Sequence, residues 1–188
     1  MEISWTGIEV GDKDAYSHAY RKLYERFYNY GVKLVEDSAL VEDVIQEILM
    51  TLWVNREGLR AIKNPDGYYY VLFRRALSKR VAALAKTKTI DGAEFDPEFA
   101  ADVMMIRQET DQALKEKLAA AIHTLSARQQ EALFLRFYEG FSYEETATIL
   151  GISVKATYKL MARSLLTLRD KVSVPLVYIF FLLKENFH

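Results

Sequence analysis

Residues 141–169 read FSYEETATILGISVKATYKLMARSLLTLR, and this stretch decides the fold of the second half of the chain. Its apolar residues are spaced for a short helix at 143–150, a three-residue turn, and a longer helix that begins at Val154. Ser142 followed by Glu145 matches a capping box, in which side chain and backbone at a helix start satisfy each other's open hydrogen-bonding groups, and Ser126 followed by Gln129 matches a second one further upstream. The pattern predicts a helix-turn-helix.

The second helix of such a motif enters the major groove of DNA with its first residues, where polar side chains read the base edges. The candidates for this contact are Ser153, Lys155, Thr157, Tyr158 and Lys159, with Arg163 one turn further along for a phosphate. A helical hairpin with a solvated polar face is the alternative. The capping box, the length of the turn and the basic second helix together favour DNA binding.

The rest of the chain also predicts helices, because its apolar residues recur at helical spacing and Gly and Pro are few. The clearest is a helix at 40–54. Asn64 followed by Pro65 marks the start of another, which runs to about Ala85. Gly140 and Gly151 stand where helices should end. We expect further helices at 14–35, 111–124 and 127–138.

The fold class is therefore all-α, with two small helical domains joined by an acidic linker. Between residues 89 and 112 acidic residues greatly outnumber the single base Arg107, and Gly92 and Pro97 interrupt the first half. We predict a first domain at 1–88, the linker at 89–112, a second domain with the helix-turn-helix at 113–173, and an apolar C-terminal tail at 174–188.

A basic and aromatic segment follows Gly67. No acidic residue occurs between Gly67 and Ile90. Cations for phosphates beside aromatic faces for base stacking suit single-stranded or melted DNA, whereas a solvated basic face with packed tyrosines is the alternative. The segment contains Tyr68, Tyr69, Tyr70, Phe73, Arg74, Arg75, Lys79, Arg80, Lys86 and Lys88.

The helix at 40–54 has an acidic face opposite its apolar stripe, formed by Glu42, Asp43, Gln46 and Glu47. Carboxylates on this face can pair with arginines of a protein partner. A solvated helix face is the default interpretation, and the residues alone do not decide between the two.

Catalytic and cofactor sites have little support in the sequence. The chain has no cysteine, and His18, His123 and His188 are scattered without metal-binding spacing. No glycine-rich phosphate loop occurs, so we expect a protein that is not an enzyme and holds no cofactor or metal.

The net charge of −1 means that any DNA binding must depend on where the bases lie. The first ten residues show no secretory signal, and the longest apolar stretch, at 174–183, is about half the ~20 residues of a membrane span. We expect no membrane insertion and a cytoplasmic location.

Taken in their order along the chain, the motifs resemble those of the extracytoplasmic-function sigma factors, the smallest members of the main bacterial sigma family. VEDVIQEILMTLW at 41–53 looks like the core-polymerase-binding helix of that family. NPDGYYY at 64–70, with the basic run after it, resembles the segment that opens and reads the minus-ten promoter element. LSARQQE at 125–131, EGFSYEE at 139–145 and LGISV at 150–154 resemble the domain that binds the minus-thirty-five element.

The resemblance implies core RNA polymerase and promoter DNA as partners, with an anti-sigma regulator as a further one. It places core-polymerase binding on Asp43, Gln46, Glu47, Leu52 and Trp53. It places minus-ten DNA on Tyr68, Tyr69, Tyr70, Arg74, Arg75 and Lys79, and minus-thirty-five DNA on the six candidates of the helix-turn-helix. It also implies that the acidic linker threads through the polymerase cleft, whereas a solvated, flexible tether is the alternative that the composition supports equally.

The sequence departs from the family pattern in two places, and two alternative functions are compatible with it. Arg75 and Lys79 occupy positions where the family commonly has Asn and Asp, and Ala156 and Thr157 also depart from its pattern, so the promoter sequence is not predictable. The main rival is a helix-turn-helix repressor or activator that binds operator DNA independently of polymerase, as a dimer on a palindrome. The other is an interaction scaffold with no DNA role.

Overall fold

A computed structural model describes residues 3–85, 95–96 and 112–173 of the 188-residue chain. Within these residues the secondary structure is helical and contains no strand, which confirms the predicted all-α class. The chain divides into two compact units, Met1–Ala93 and Glu94–His188. Most of the predicted acidic linker and the whole apolar tail lie outside the described residues.

The first unit is built from four α-helices, whose starts are set by side-chain caps, and a 3-10 helix, which has no such cap. Asp12 accepts hydrogen bonds from the amides of Asp14 and Ala15, at 2.8 and 3.2 Å. Asn64 Oδ1 accepts from the amide of Gly67 at 3.2 Å, as expected for the cap before a proline. The helices are α1 (Trp5–Glu9), α2 (Lys13–Leu34), α3 (Ser38–Val54), a 3-10 helix (Arg56–Ala61) and α4 (Pro65–Ala85).

Helices α2, α3 and α4 pack on one another around an aromatic core. Phe27 of α2 stacks on Phe73 of α4, with ring centroids 4.8 Å apart, and meets Tyr70 edge-on at 5.1 Å. The apolar stripe of α3 lies against these rings, because residues three and four apart share one helix face. The buried residues of α3 are Val41, Val44, Ile45, Ile48, Leu49 and Leu52.

The sequence analysis missed two short elements of this unit, α1 and the 3-10 helix. They contact each other, and α1 also contacts α2. Each is held by one apolar anchor: Ile8 of α1 is completely buried, and Leu59 of the 3-10 helix is 4% exposed. A single anchor gives no periodic pattern, so periodicity cannot reveal such elements.

The second unit contains the helix-turn-helix. Both predicted capping boxes are present, at Ser126 with Gln129 and at Ser142 with Glu145. Gly151 ends the first helix of the motif with a φ of 68°, a left-handed conformation that suits glycine. The helices are α5 (Gln112–His123), α6 (Ala127–Leu133) continued by a π-helical turn (Phe134–Tyr138), α7 (Tyr143–Leu150) and α8 (Val154–Val172).

Helix α8 is the centre of the second unit, since α5, α6 and α7 all pack against it. Its buried side carries Thr157, Met161, Ser164, Leu168 and Val172. Phe134 is completely buried, and Phe95 contacts its ring at 5.8 Å between centroids. The opposite side of α8 is free to carry polar residues.

In the described part of the chain, no helix combines the length and the apolar character that a membrane span requires. Among residues 3–85, 95–96 and 112–173, no group of three or more His, Asp or Glu side chains is arranged to hold a metal ion.

Candidate nucleic-acid and protein interfaces

The turn between α7 and α8 is fixed by local hydrogen bonds. Ser153 caps α8 by accepting from the amide of Ala156 at 3.2 Å. The guanidinium of Arg128, in α6, donates to the carbonyl of Leu150 at the end of α7 and forms an ion pair with the nearly buried Glu131 at 3.2 Å. Helix α6 therefore holds the end of α7 in place, and the Ser153 cap fixes the start of α8.

Five of the six residues predicted to contact DNA on α8 are exposed. They are Ser153, Lys155, Tyr158, Lys159 and Arg163. Because residues 155, 159 and 163 are four apart, the three cations lie along one face of the helix. A basic, solvent-facing stripe that begins at the first turn is the arrangement that a major groove accepts.

The sixth residue, Thr157, is completely buried and does not reach the solvent. Its hydroxyl donates to the carbonyl of Ser153 at 3.2 Å, which satisfies the polar group inside the unit. Thr157 precedes Met161, Ser164 and Leu168 by four, seven and eleven residues, so helical spacing places it on the packed side. Its role in this structure is packing, and the prediction that it reads bases needs this correction.

The ring of Tyr158 rests on Tyr143, the first residue of α7. The two rings stack with centroids 4.3 Å apart and an angle of 15° between their planes. The guanidinium of Arg136 lies 5.3 Å from the Tyr143 ring, and its Nη1 donates to the carbonyl of Phe141 at 2.8 Å. Sequence reasoning missed both supports, because Tyr143 and Tyr158 lie in different helices and share no spacing.

The three consecutive tyrosines of α4 lie in different environments. Tyr68 is 44% exposed, Tyr69 is 3% exposed and Tyr70 is completely buried. Successive residues of an α-helix point about 100° apart, so three in a row cannot share one face. Burial argues against a DNA contact by Tyr69 and by Tyr70, which belongs to the core beside Phe27, and the contact stays a prediction for Tyr68.

The basic residues of α4 divide in the same way. Arg74 is 7% exposed, whereas Arg75, Lys79 and Arg80 are exposed. Tyr68, Arg75 and Lys79 follow at intervals of seven and four, so they form one solvent-facing stripe. This stripe has the aromatic and cationic character predicted for the segment. Arg74 does not contribute to it, because its side chain is buried. Lys86 and Lys88 lie outside the described residues.

Two residues of other helices cover the inner tyrosines. The indole of Trp5 in α1 stacks on the ring of Tyr69, and the guanidinium of Arg26 in α2 lies 5.1 Å from the centre of Tyr70. Burial raises the pKa of Tyr69 to about 12, and the neighbouring Tyr68 adds a smaller upward shift. Tyr69 is therefore a packed residue that ionises only at a more alkaline pH than an ordinary tyrosine.

Helix α3 presents the predicted acidic face to solvent. Asp43, Gln46 and Glu47 are exposed, and the carboxylate of Glu47 pairs with Arg80 at 3.0 Å. More than half of each of these two side chains is exposed, so their pairing contributes at most about 1 kcal/mol. Both groups are accessible to a partner.

The other two residues predicted for polymerase binding are less accessible. Leu52 is completely buried in the core and is corrected to a packing residue, since it continues the stripe of Leu49 and Ile48. Trp53 is half-buried between Tyr16, at 4.7 Å between centroids, and the guanidinium of Arg56, at 4.7 Å from the ring.

The structure adds two residues that sequence reasoning missed on this surface of α3. Met50 is 67% exposed and Val54 is 70% exposed. Met50 follows Gln46 by four residues and Glu47 by three, and Val54 follows Met50 by four, so they extend the acidic face. An exposed face that combines carboxylates with large apolar side chains is typical of a protein-binding surface.

Comparisons with known proteins agree with these features. The family described as Sigma-70 region 2 matches residues 19–87, and the family described as Sigma-70, region 4 matches residues 115–168. Together the two matches cover well over half of the chain.

Individual relatives have low sequence identity to this chain, but each match extends over most of both sequences. The ECF RNA polymerase sigma factor SigL of Mycobacterium tuberculosis is 27% identical over 159 residues, which are 80% of this chain and 89% of SigL. The RNA polymerase sigma factor CarQ of Myxococcus xanthus is 23% identical over 145 residues, with 76% and 80% of the two chains covered.

Among solved structures, the sigma factor RpoE of Bartonella quintana, crystallised with the anti-sigma factor NepR, has a similar fold. Its TM-score is 0.54 at 19% identity, and 85% of this chain and 97% of RpoE are covered.

Proposed function

Because this chain belongs to the extracytoplasmic-function group of the bacterial RNA polymerase sigma factors, we propose that it reads a minus-thirty-five element as duplex and helps to open the minus-ten region. Sigma factors are transcription initiation factors that bind core RNA polymerase and promoter DNA. In this proposal no chemistry is performed by the chain, and the free energy for strand opening comes from binding.

The observation that carries the proposal is the exposed start of α8. Lys155, Tyr158 and Lys159 face solvent in the first turns of the second helix of a helix-turn-helix. Thr157, between them, packs inward, so the polar and the packed sides of the helix are cleanly separated. We assign the upstream duplex to this face, because polar side chains at the start of the second helix are the ones that contact base edges in the major groove.

The stripe of α4 is assigned to the opened downstream strand. Tyr68 offers an exposed aromatic face for a base, and Arg75 and Lys79 offer charges for its phosphates. Buried Tyr70 and Arg74 support this surface from inside.

The exposed face of α3 is assigned to core polymerase. Asp43 and Glu47 supply negative charge, and Met50 and Val54 supply apolar area that the fold itself leaves uncovered. Such a combination can bury a hydrophobic centre inside a charged rim, as protein interfaces commonly do.

The proposal includes the domain plan of residues 1–88 and 113–173 joined by 89–112, and a cytoplasmic location, where polymerase and promoters are found. It also includes a protein regulator that masks one of these surfaces, because RpoE of Bartonella quintana was crystallised with an anti-sigma factor.

The test is run-off transcription with core polymerase and promoter-bearing genomic DNA, with and without the protein. We expect new transcript starts that depend on the protein. Lys159→Ala should reduce these starts, whereas Lys171→Ala, at the far end of the same helix, should not. No protein-dependent starts, together with tight operator binding by the free protein, would make it a conventional regulator instead.

A further inference from the structure

We infer that Trp5, on the short N-terminal helix α1, is part of the surface that receives the opened promoter strand, and that an unpaired base stacks on its indole. The inference rests on the proposed role of α4 and extends it to a residue in a different element. Trp5 and Tyr68 would be the two aromatic faces offered to the strand.

The first support is the contact between Trp5 and α4. The indole lies parallel to the ring of Tyr69, with an angle of 4° and 5.9 Å between centroids. Its Nε1 donates to Asp66 Oδ2 at 3.1 Å, in the first turn of α4. The carboxylate of Asp66 is in turn paired with Arg26 at 2.7 Å. Trp5 is thus fixed in orientation on the helix to which DNA binding is assigned.

The second support is that α1 is anchored to the fold. Ile8 is completely buried, and Ser4 caps the helix by accepting from the amide of Gly7 at 3.3 Å. Helix α1 also contacts the 3-10 helix and α2. An aromatic ring held in place before binding loses little conformational entropy when a base stacks on it.

The third support is that Tyr69 cannot itself receive a base. Only 3% of it is exposed, Trp5 covers its ring, and Tyr68 meets it edge-on at 90° with 5.3 Å between centroids. Trp5 is partly exposed and Tyr68 is 44% exposed, so the aromatic area left for stacking belongs to these two residues. Tyr69 acts as the packed layer beneath them.

Charges around the rings also suit a nucleic acid. Asp66 is compensated by its ion pair with Arg26. Arg60 and Lys63 are exposed in the segment that leads into α4, where they can meet phosphates. An aromatic face beside such cations fits one unpaired nucleotide.

The direct test places 5-iodouracil at successive positions of the non-template strand in open complexes of the holoenzyme. On irradiation this base cross-links to an aromatic side chain that stacks on it. We expect one position to cross-link to Trp5. Cross-links to Tyr68 or its neighbours on α4 without any to Trp5 would overturn the inference and leave the proposed function standing. Open complexes with no cross-link to residues 3–85 would contradict both.

Variants separate stacking from a merely structural role. Trp5→Phe keeps a ring but loses the hydrogen bond to Asp66, and Trp5→Leu keeps apolar bulk but cannot stack. We expect Trp5→Leu to lower the yield of open complexes about ten-fold, because the free energy of stacking one base corresponds to a factor of this order. Trp5→Phe should retain most of the yield. Tyr28→Leu, at a partly exposed aromatic of α2, is the control.

Holoenzyme formation and the thermal midpoint of each variant are measured in parallel, because a loss of folding would lower both. Equal yields from Leu and Phe at Trp5 would show that the ring does not stack on DNA.

Discussion

At the scale of single residues, Tyr158 shows how a contact surface is prepared before DNA arrives. Its ring stacks on Tyr143, and Tyr143 lies over the guanidinium of Arg136. Tyr158 is still 49% exposed, so one part of the ring is held while the other remains available. Holding the ring reduces the entropy lost when it contacts the duplex.

Removing this support is expected to weaken promoter binding. In Tyr143→Leu the ring of Tyr158 loses its partner, and an aromatic pair contributes about 0.5–1.5 kcal/mol beyond buried area. We therefore expect holoenzyme affinity for promoter DNA to fall about two- to twelve-fold. Electrophoretic mobility shift measures this change. Tyr143→Phe keeps the stack and should bind like the wild type; an equal loss in both variants would assign the effect to the hydroxyl.

The environment of Tyr69 predicts a dependence of stability on alkaline pH. Burial raises its pKa to about 12 in the fold, above the ordinary value of 10.0. The stabilising contribution is therefore complete below pH 10 and is lost as the pH rises towards 12, because only the unfolded chain ionises readily in that range.

Urea unfolding at several values of pH measures the loss. Tyr69→Phe should show a shallower fall in the free energy of unfolding between pH 10 and 12 than the wild type. Identical slopes would mean that Tyr69 titrates as an ordinary tyrosine in the fold.

The residue types of the candidate sites were largely predictable from the sequence, but the exposure of their side chains was predictable only in part. Lys155 and Lys159 were placed correctly on the surface, because a charged side chain is rarely buried. Thr157 and Tyr70 were not, because such side chains can be buried when the fold surrounds them suitably. Helical spacing from Met161 already indicated the packed side for Thr157.

At the scale of helices, the close approach of α2 to its neighbours depends on Gly31. A Cβ atom at this position would lie 2.5 Å from Cγ1 of Val41 in α3 and 2.9 Å from Cζ of Phe73 in α4. Both neighbours are buried, so neither can easily move aside. The missing side chain lets three helices meet at one point.

We expect Gly31→Ala to destabilise the first unit. Overpacking costs about 1–3 kcal/mol, which exceeds the gain of up to ~1 kcal/mol in helix propensity. Gly58→Ala is the matched control, since a Cβ there meets no atom within 4 Å. The free energy of unfolding, followed by circular dichroism in urea, should fall only for Gly31→Ala. A similar value for both variants would show that the helices separate to accept the methyl group.

Helix starts and ends were the most predictable features at this scale, because they depend on neighbouring residues alone. The capping boxes at Ser126 and Ser142 and the glycine end at Gly151 were all confirmed. Helix α1 was missed because five residues with one buried anchor carry no period. The stacking of Trp5 on Tyr69 was missed for a related reason, since it joins residues far apart in the chain.

At the scale of the whole molecule, the candidate binding surfaces on α3, α4 and α8 differ in the sign of their charge, although the net charge of the chain is small. The net charge is −1, yet α4 exposes Arg75, Lys79 and Arg80 and α8 exposes Lys155, Lys159 and Arg163, whereas α3 exposes Asp43 and Glu47 and has no Lys or Arg. Two short basic stripes give few phosphate contacts, so the free protein should bind DNA weakly. Polymerase binding and DNA binding should then depend on different residues of one chain.

Charge substitutions on the two surfaces are expected to separate these functions. Asp43→Arg should weaken holoenzyme formation, because it reverses the charge of the α3 face, whereas Glu57→Arg, an exposed acid of the 3-10 helix, should not. Lys155→Ala should leave holoenzyme formation unchanged. It should lower promoter affinity and reduce the slope of log affinity against log salt by about one unit.

Both effects are measured by titrating labelled protein with core polymerase, and labelled promoter DNA with holoenzyme at several salt concentrations. If Asp43→Arg reduced promoter affinity while leaving holoenzyme formation intact, the α3 face would have to be reassigned to DNA. If Lys155→Ala left the salt slope unchanged, the start of α8 would not contact a phosphate through this residue, and the orientation of the recognition helix in the groove would have to be revised.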